Sequence, residues 1–193
     1  NAGHEVIFVA RAKQLEALQQ NELKLHHPEF CFSKKVIAYT IDEIKSFDAY
    51  YFDAVLLTTK STSTLALSKH LQMWFANEKN IPYIISLQNG VENEEILSES
   101  LNKQYIIAGL TRKIGAHIVS PAVISATGSA ETILGSLEET KENQTFLKNI
   151  EQVFNEAKIP TQISLHIKLE LWKKLIINNG VNAICALLKK ETG

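Results

Sequence analysis

Cysteine is scarce in this chain of 193 residues, with Cys31 and Cys185 standing alone. They lie too far apart in sequence for a redox pair or a metal knuckle, and they are too few for a disulfide framework. A reducing cytoplasm is the plain reading. No apolar run is long enough to cross a bilayer and there is no low-complexity tract, so membrane and disordered classes drop out. Excess charge of one sign is missing too. Lys and Arg number 20 against 21 Asp and Glu, a net charge of −1 with the signs mixed throughout. No basic stripe awaits a phosphate backbone, and nucleic acid is not an expected partner. The adjacent His26 and His27 would point to opposite faces of a strand, and no further ligand cluster accompanies them, so no metal is expected. What is there is a globular composition, 45% hydrophobic and 21% charged. Its length suits one ordinary domain, or one domain plus the start of another.

Strand and helix signals alternate along the chain. Val6 to Ala10 is apolar without alternation, as in a parallel strand covered on both faces. Ahead of it, Asn1-Ala2-Gly3-His4 resembles a helix ending in a C-terminal glycine, so the chain reads as starting in mid-motif. Ala12 to Gln20 is helical in pattern, Phe30 to Tyr39 is a weaker strand, and Asp42-Glu43 is a short acidic turn. Asp53 to Thr59 forms a second buried strand, Ser61 caps a helix running to Phe75, and Pro82 to Leu87 forms a third strand. Such alternation predicts an α/β fold of βαβ units with a Rossmann-like parallel sheet. Residues 104–135 are β-rich and broken by Gly115, Pro121, Gly128 and Gly135, which predicts hairpins extending that sheet. A helix over Lys141 to Ala157 and a strand over Thr161 to Ser164 follow. Then comes Leu165 to Lys190, long, helical and free of proline. The domain boundary is expected near 165, with 1–165 one domain and 166–193 the beginning of a second.

Ligands of open parallel sheets bind outside the carboxyl ends of the strands, so the residues just after each strand carry most interest. Arg11 follows the first strand, where an arginine suits the 2′-phosphate of NADP; by itself it reads more simply as a surface residue. Lys60 and Asn89 follow the next two, although lysine is common on surfaces and Asn89-Gly90 alone reads equally as a tight turn. A helix-like segment after Asn89-Gly90 favours a strand-to-helix loop. Within the last helix, Lys174, Asn178 and Asn182 recur every four residues and drift only about 40° per step, forming one polar stripe. Val181 and Cys185 lie within that stripe and Ile177 borders it. The stripe therefore either faces a cleft and awaits a small polar ligand, or packs against a neighbour's backbone groups. Gly180 inside the helix implies that a ligand or a crossing helix approaches the backbone there.

Asn89-Gly90-Val91 after a strand, the stretch from Gly109 to Gly135, the run Leu171-Trp172-Lys173-Lys174-Leu175-Ile176-Ile177-Asn178 followed by Asn182, and the opening His4 to Arg11 resemble the ketopantoate reductase family over essentially the whole chain. Trp172 to Asn182 is the most specific part. The resemblance implies NADPH-dependent reduction of 2-dehydropantoate to (R)-pantoate, on the route to pantothenate and coenzyme A. It also implies that the last helix is the first of an all-α C-terminal domain. Carried over by position, Arg11 would meet the 2′-phosphate, Lys60 would lie beside the cofactor, and Asn89 would hold nicotinamide or substrate. Ala116 would line the nicotinamide side. Lys174 would be the proton donor, with Asn178 and Asn182 fixing the hydroxyl and carboxylate ends of the 2-ketoacid. The sequence departs from the family pattern in having no GxGxxG loop, in carrying Thr192 where the family often has another substrate-binding asparagine, and in lacking the rest of the helical domain, so it reads as an internal fragment. A truncated helical domain would expose apolar residues such as Leu187 and Leu188, which is compatible with a homodimer. Two other readings remain open: a non-catalytic NADPH-binding or scaffold protein of the same fold, and a reductase of another small 2-ketoacid or another two-domain dehydrogenase.

Overall fold

The apolar runs read as strands are strands in the computed structural model, which describes residues 2–190. In chain order the elements are β1 (Ile7–Val9), α1 (Ala12–Gln20), β2 (Leu23–His27), β3 (Phe30–Lys34), β4 (Ile37–Tyr39), α2 (Ile41–Ile44), β5 (Ala54–Leu57), α3 (Thr64–Phe75), β6 (Tyr83–Ser86) and α4 (Asn93–Ser98). They continue with β7 (Ile106–Arg112), β8 (Gly115–Ser120), β9 (Val123–Thr127), β10 (Glu131–Ser136), α5 (Lys141–Glu156), β11 (Thr161–Ile163) and α6 (Ile167–Leu188).

The main sheet has five strands in the order β11-β10-β7-β6-β5. Strands β5, β6 and β7 run parallel, β10 returns antiparallel against β7, and β11 runs parallel to β10. Because successive side chains on a strand point to opposite faces, Ile84 and Ile106 pack with Leu71, Trp74, Phe75 and Leu97 of α3 and α4, while Ile85 and Ile107 meet Leu147 of α5 on the other side. Both faces of these strands are covered, which is why their sequences read as apolar runs rather than alternating ones. Full burial of a side chain such as Leu71 contributes about 1.5–3 kcal/mol. This is a Rossmann-like α/β arrangement. None of the described helices is long and apolar enough to cross a membrane.

Five points of the sequence reading need correction. The stretch from Phe30 to Tyr39 is two strands, β3 and β4, in different sheets, because β3 turns back on β2 whereas β4 pairs in parallel with β1. Strand β2 itself was missed, although Leu23-Lys24-Leu25 carries the alternation of a half-buried strand. The β-rich stretch divides as well. Strands β7 and β10 extend the main sheet as expected, but β8 and β9 join β2 and β3 in a separate four-stranded sheet, since β9 pairs in parallel with β2. Strand β1 is not covered on both faces: Val6 and Val9 are 60% and 49% exposed, and among the described residues β1 has a sheet neighbour on one edge only. Lastly, Ser61 does not cap α3. It opens a short 3-10 turn over Ser61–Ser63, and the α-helix starts at Thr64.

Candidate active site

The site begins where β6 ends. Gln88, Asn89 and Gly90 carry the chain from β6 into α4, and Gly90 has φ +113°, a backbone conformation L side chains rarely adopt. That turn brings the Asn93 side chain back under the loop, where its Nδ2 donates to the Asn89 carbonyl at 3.0 Å. Thr64 Oγ1 in turn donates to Asn93 Oδ1 at 2.9 Å. Gln88 is 2% exposed, and its Nε2 donates to Thr59 Oγ1 at 3.1 Å, to the Thr59 carbonyl at 3.2 Å and to Thr64 Oγ1 at 2.9 Å. Two strand ends are thus joined through buried side chains.

Helix α6 supplies the opposite wall. Ile167 and Leu171 are buried against Ala108, Leu110 and Ile133 of the sheet, with Val91 of the loop packed beside them. That anchorage fixes the helix's rotation, so the residues one turn on from Leu171 point along the sheet edge. A cleft of about 180 Å³ results, lined by Gln88, Asn89, Gly90, Leu171, Lys174, Leu175, Asn178, Asn179 and Asn182. The polar stripe therefore faces a cleft, and of the two readings left open by its spacing this is the one the fold adopts. Burial is the cause that pulls the Lys174 ammonium below the usual lysine pKa. A lysine in such a place is closer to giving up its proton than one in water.

Sequence reasoning singled out other positions that the described residues do not gather into this cleft. Arg11, exposed, directly follows β1 and precedes α1. Lys60, exposed, follows β5, and its carbonyl oxygen accepts from Gln88 Nε2 at 3.4 Å, which puts it at the same sheet edge as Asn89. Ala116 pairs with Ala126 in the separate four-stranded sheet and is exposed. Thr192 lies outside the described residues. Nothing within 4 Å surrounds a Cβ placed on Gly180, so among the described residues no neighbour explains that glycine. His27 is occupied: its Nε2 is 2.8 Å from the Gly128 carbonyl oxygen, and its ring stacks on Phe30.

Four residues near the site were missed: Gln88, Thr64, Asn93 and Glu94, all 2% exposed or less. Gln88 directly precedes Asn89, and Asn93 follows it by four residues in a strand-to-helix loop, a signal that was present in the sequence. Glu94 carried none. Burial raises its carboxyl pKa, offset in part by the Ser86 hydroxyl.

Comparison with known proteins turns this geometry into a family. A sequence profile described as ketopantoate reductase PanE/ApbA matches residues 1–139. The chain belongs to the ketopantoate reductase family. A 2-dehydropantoate 2-reductase of Pyrococcus abyssi is 31% identical over 189 residues, which is 98% of this chain and 58% of that protein. One from Archaeoglobus fulgidus is 28% identical over 201 residues, 100% of this chain and 59% of the relative. The chain thus spans somewhat over half the length of these relatives. Among solved structures, a PanE/ApbA family ketopantoate reductase from Ralstonia eutropha superposes with a TM-score of 0.76 at 28% identity, over 92% of this chain and 54% of the other. D-mandelate dehydrogenase, in a ternary structure with NADH and anilino(oxo)acetate, shares the fold with a TM-score of 0.83 at 19% identity, over 97% of this chain and 58% of that one.

Proposed function

We propose that this chain forms the nucleotide-binding domain, residues 1–165, and the first helix of the substrate domain of an NADPH-dependent 2-dehydropantoate 2-reductase, with Lys174 as proton donor. The observation that carries the reading is the single cleft uniting Asn89 and Gly90 with Lys174, Asn178 and Asn182. A pyridine nucleotide fits the residues present. Arg11, Lys60 and Asn89 stand at the carboxyl ends of parallel strands, where open α/β sheets bind dinucleotides, and the buried Gln88 Oε1 has no hydrogen-bond partner among the described residues. Arg11 would pair with the 2′-phosphate, Lys60 and Ala116 would flank the cofactor, and Asn89 would hold nicotinamide or substrate.

The cofactor, when bound, supplies the hydride. As negative charge builds on the ketone oxygen, the Lys174 ammonium stabilises it and then donates its proton there. Asn178 and Asn182 hold the hydroxyl and carboxylate ends of the ketoacid without adding charge. A substrate carboxylate nearby would restore part of the proton affinity that burial removes from Lys174. The product would enter pantothenate synthesis in the cytoplasm.

Asparagines recognise generic polar groups, which keeps a second 2-ketoacid in view, and the mandelate-dehydrogenase likeness gives that reading its specific alternative. The test is NADPH and NADH oxidation by the native enzyme carrying this chain, with ketopantoate and a panel of 2-ketoacids. The proposal expects turnover with ketopantoate and NADPH, lost in Lys174→Ala while NADPH binding by titration persists. Equal loss of turnover and binding refutes the role of Lys174. Turnover only with another ketoacid refutes the substrate, and binding without any turnover indicates a non-catalytic protein of the same fold.

A further inference from the structure

Resting on that reading of the cofactor site, we infer that Gln88 is a positioning residue for nucleotide binding, acting through Lys60 and Asn89. Its carboxamide is 2% exposed and forms part of the cleft wall opposite Lys174. The Nε2 group reaches four acceptors: the Thr59 carbonyl at 3.2 Å, Thr59 Oγ1 at 3.1 Å, the Lys60 carbonyl at 3.4 Å and Thr64 Oγ1 at 2.9 Å. Two of these are backbone carbonyls, which only accept, so the amide's orientation is unambiguous.

Strands β5 and β6 are hydrogen-bonded up to Leu57 and Ser86, with Leu87 N still donating to the Leu57 carbonyl at 2.9 Å. Beyond that point the loops diverge. Gln88 takes over the work of the ladder, tying the backbone of Thr59 and Lys60 to the residue before Asn89. Through Thr64 and Asn93 the same network reaches the Asn89 carbonyl. Spacing between Lys60 and Asn89 is therefore set by this buried network, in which Gln88 supplies the bonds to the Thr59 and Lys60 backbone. A glutamine kept only for packing would have both ends satisfied; here Oε1 is left without a partner among the described residues while every donor bond is spent on the neighbouring loop.

The experiment measures NADPH affinity of the native enzyme by fluorescence titration, with thermal unfolding alongside, for Gln88→Met, Lys60→Ala and the double variant. Met keeps volume and removes the donor. Gln88→Met is expected to weaken NADPH binding roughly tenfold or more. The double variant should lose less than the product of the two single losses, because part of what Gln88→Met removes is the placement of Lys60 that Lys60→Ala already abolishes. Unchanged affinity in Gln88→Met overturns the proposal, and so do losses that multiply in the double variant. Should Gln88→Met fail to fold, Gln88→Glu serves. A carboxylate repels the Thr59 and Lys60 carbonyls, whereas a protonated carboxyl can donate to them. Its affinity relative to wild type should therefore recover as pH falls toward about 5, and a ratio flat with pH contradicts the proposal. If the wild-type enzyme binds neither NADPH nor NADH, the cofactor reading itself has failed, an outcome distinct from every variant result.

Discussion

The side chain of Asn93 holds the backbone of Asn89, its Nδ2 donating to that carbonyl at 3.0 Å while its Oδ1 accepts from Thr64 Oγ1 at 2.9 Å. The residue that shapes the mouth of the cleft is thus secured by one that is 2% exposed and four positions away. Function at the surface of this loop depends on polar groups beneath it.

Replacing Asn93 by Ala strands a threonine hydroxyl and a loop carbonyl together. Each buried group left without a partner costs about 1–3 kcal/mol. Asn93→Ala should therefore lower the unfolding free energy obtained from urea titration by at least about 1–3 kcal/mol, with a lower midpoint, and weaken binding at the Asn89 loop. An unchanged midpoint would show that the network does not hold the loop.

Lys174 should trade stability for activity. Burial lowers its pKa, so between the folded-state value and the ordinary 10.5 the unfolded chain binds more protons than the folded one. The penalty is fully present below the folded-state pKa and is relieved as pH rises through it. Lys174→Met should abolish turnover, leave the melting temperature at neutral pH equal or higher, and remove this alkaline gain. A lower melting temperature contradicts the account.

Glu131 works in the opposite direction. The Arg112 guanidinium, whose Nε lies 2.7 Å from its carboxylate, and the Lys113 ammonium at 3.1 Å hold its pKa at about 2 against the ordinary 4.5. Its contribution is present above the ordinary value and is lost as pH falls from there through about 2. Thermal unfolding across that window should fall more steeply for wild type than for Glu131→Gln. Parallel curves would remove this pair from the account of acid stability.

Gly135 sets how closely α6 approaches the sheet. A Cβ there would lie 2.6 Å from Ile167 Cβ and 2.6 Å from the Ser164 carbonyl oxygen. Gly135→Ala must lift the start of α6, at a cost of about 1–3 kcal/mol for overpacking, and the displacement should also raise KM for the ketoacid. Wild-type stability and KM together would mean that the helix tolerates the shift.

Local chemistry was enough to read the main sheet from sequence. The run Tyr83 to Ser86 is apolar because both faces are covered, and that pattern needs no knowledge of the partner, whereas Ala54 to Leu57, at the end of the sheet, leaves Leu56 45% exposed. The recurrence of Lys174, Asn178 and Asn182 on one helical face was equally local, since helix periodicity alone dictates it. Pairing was not legible. Strand β9 chose β2, nearly a hundred residues earlier in the chain, over the main sheet, and Gln88, just past a strand, carried no visible role until β5 lay beside it. What the polar stripe faces was decided only when Ile167 and Leu171 sank into the sheet and turned it toward Asn89. Residue order determines faces and periods, because those depend on neighbours a few positions away; which faces meet depends on contacts between distant segments, and these exist only once the chain has folded.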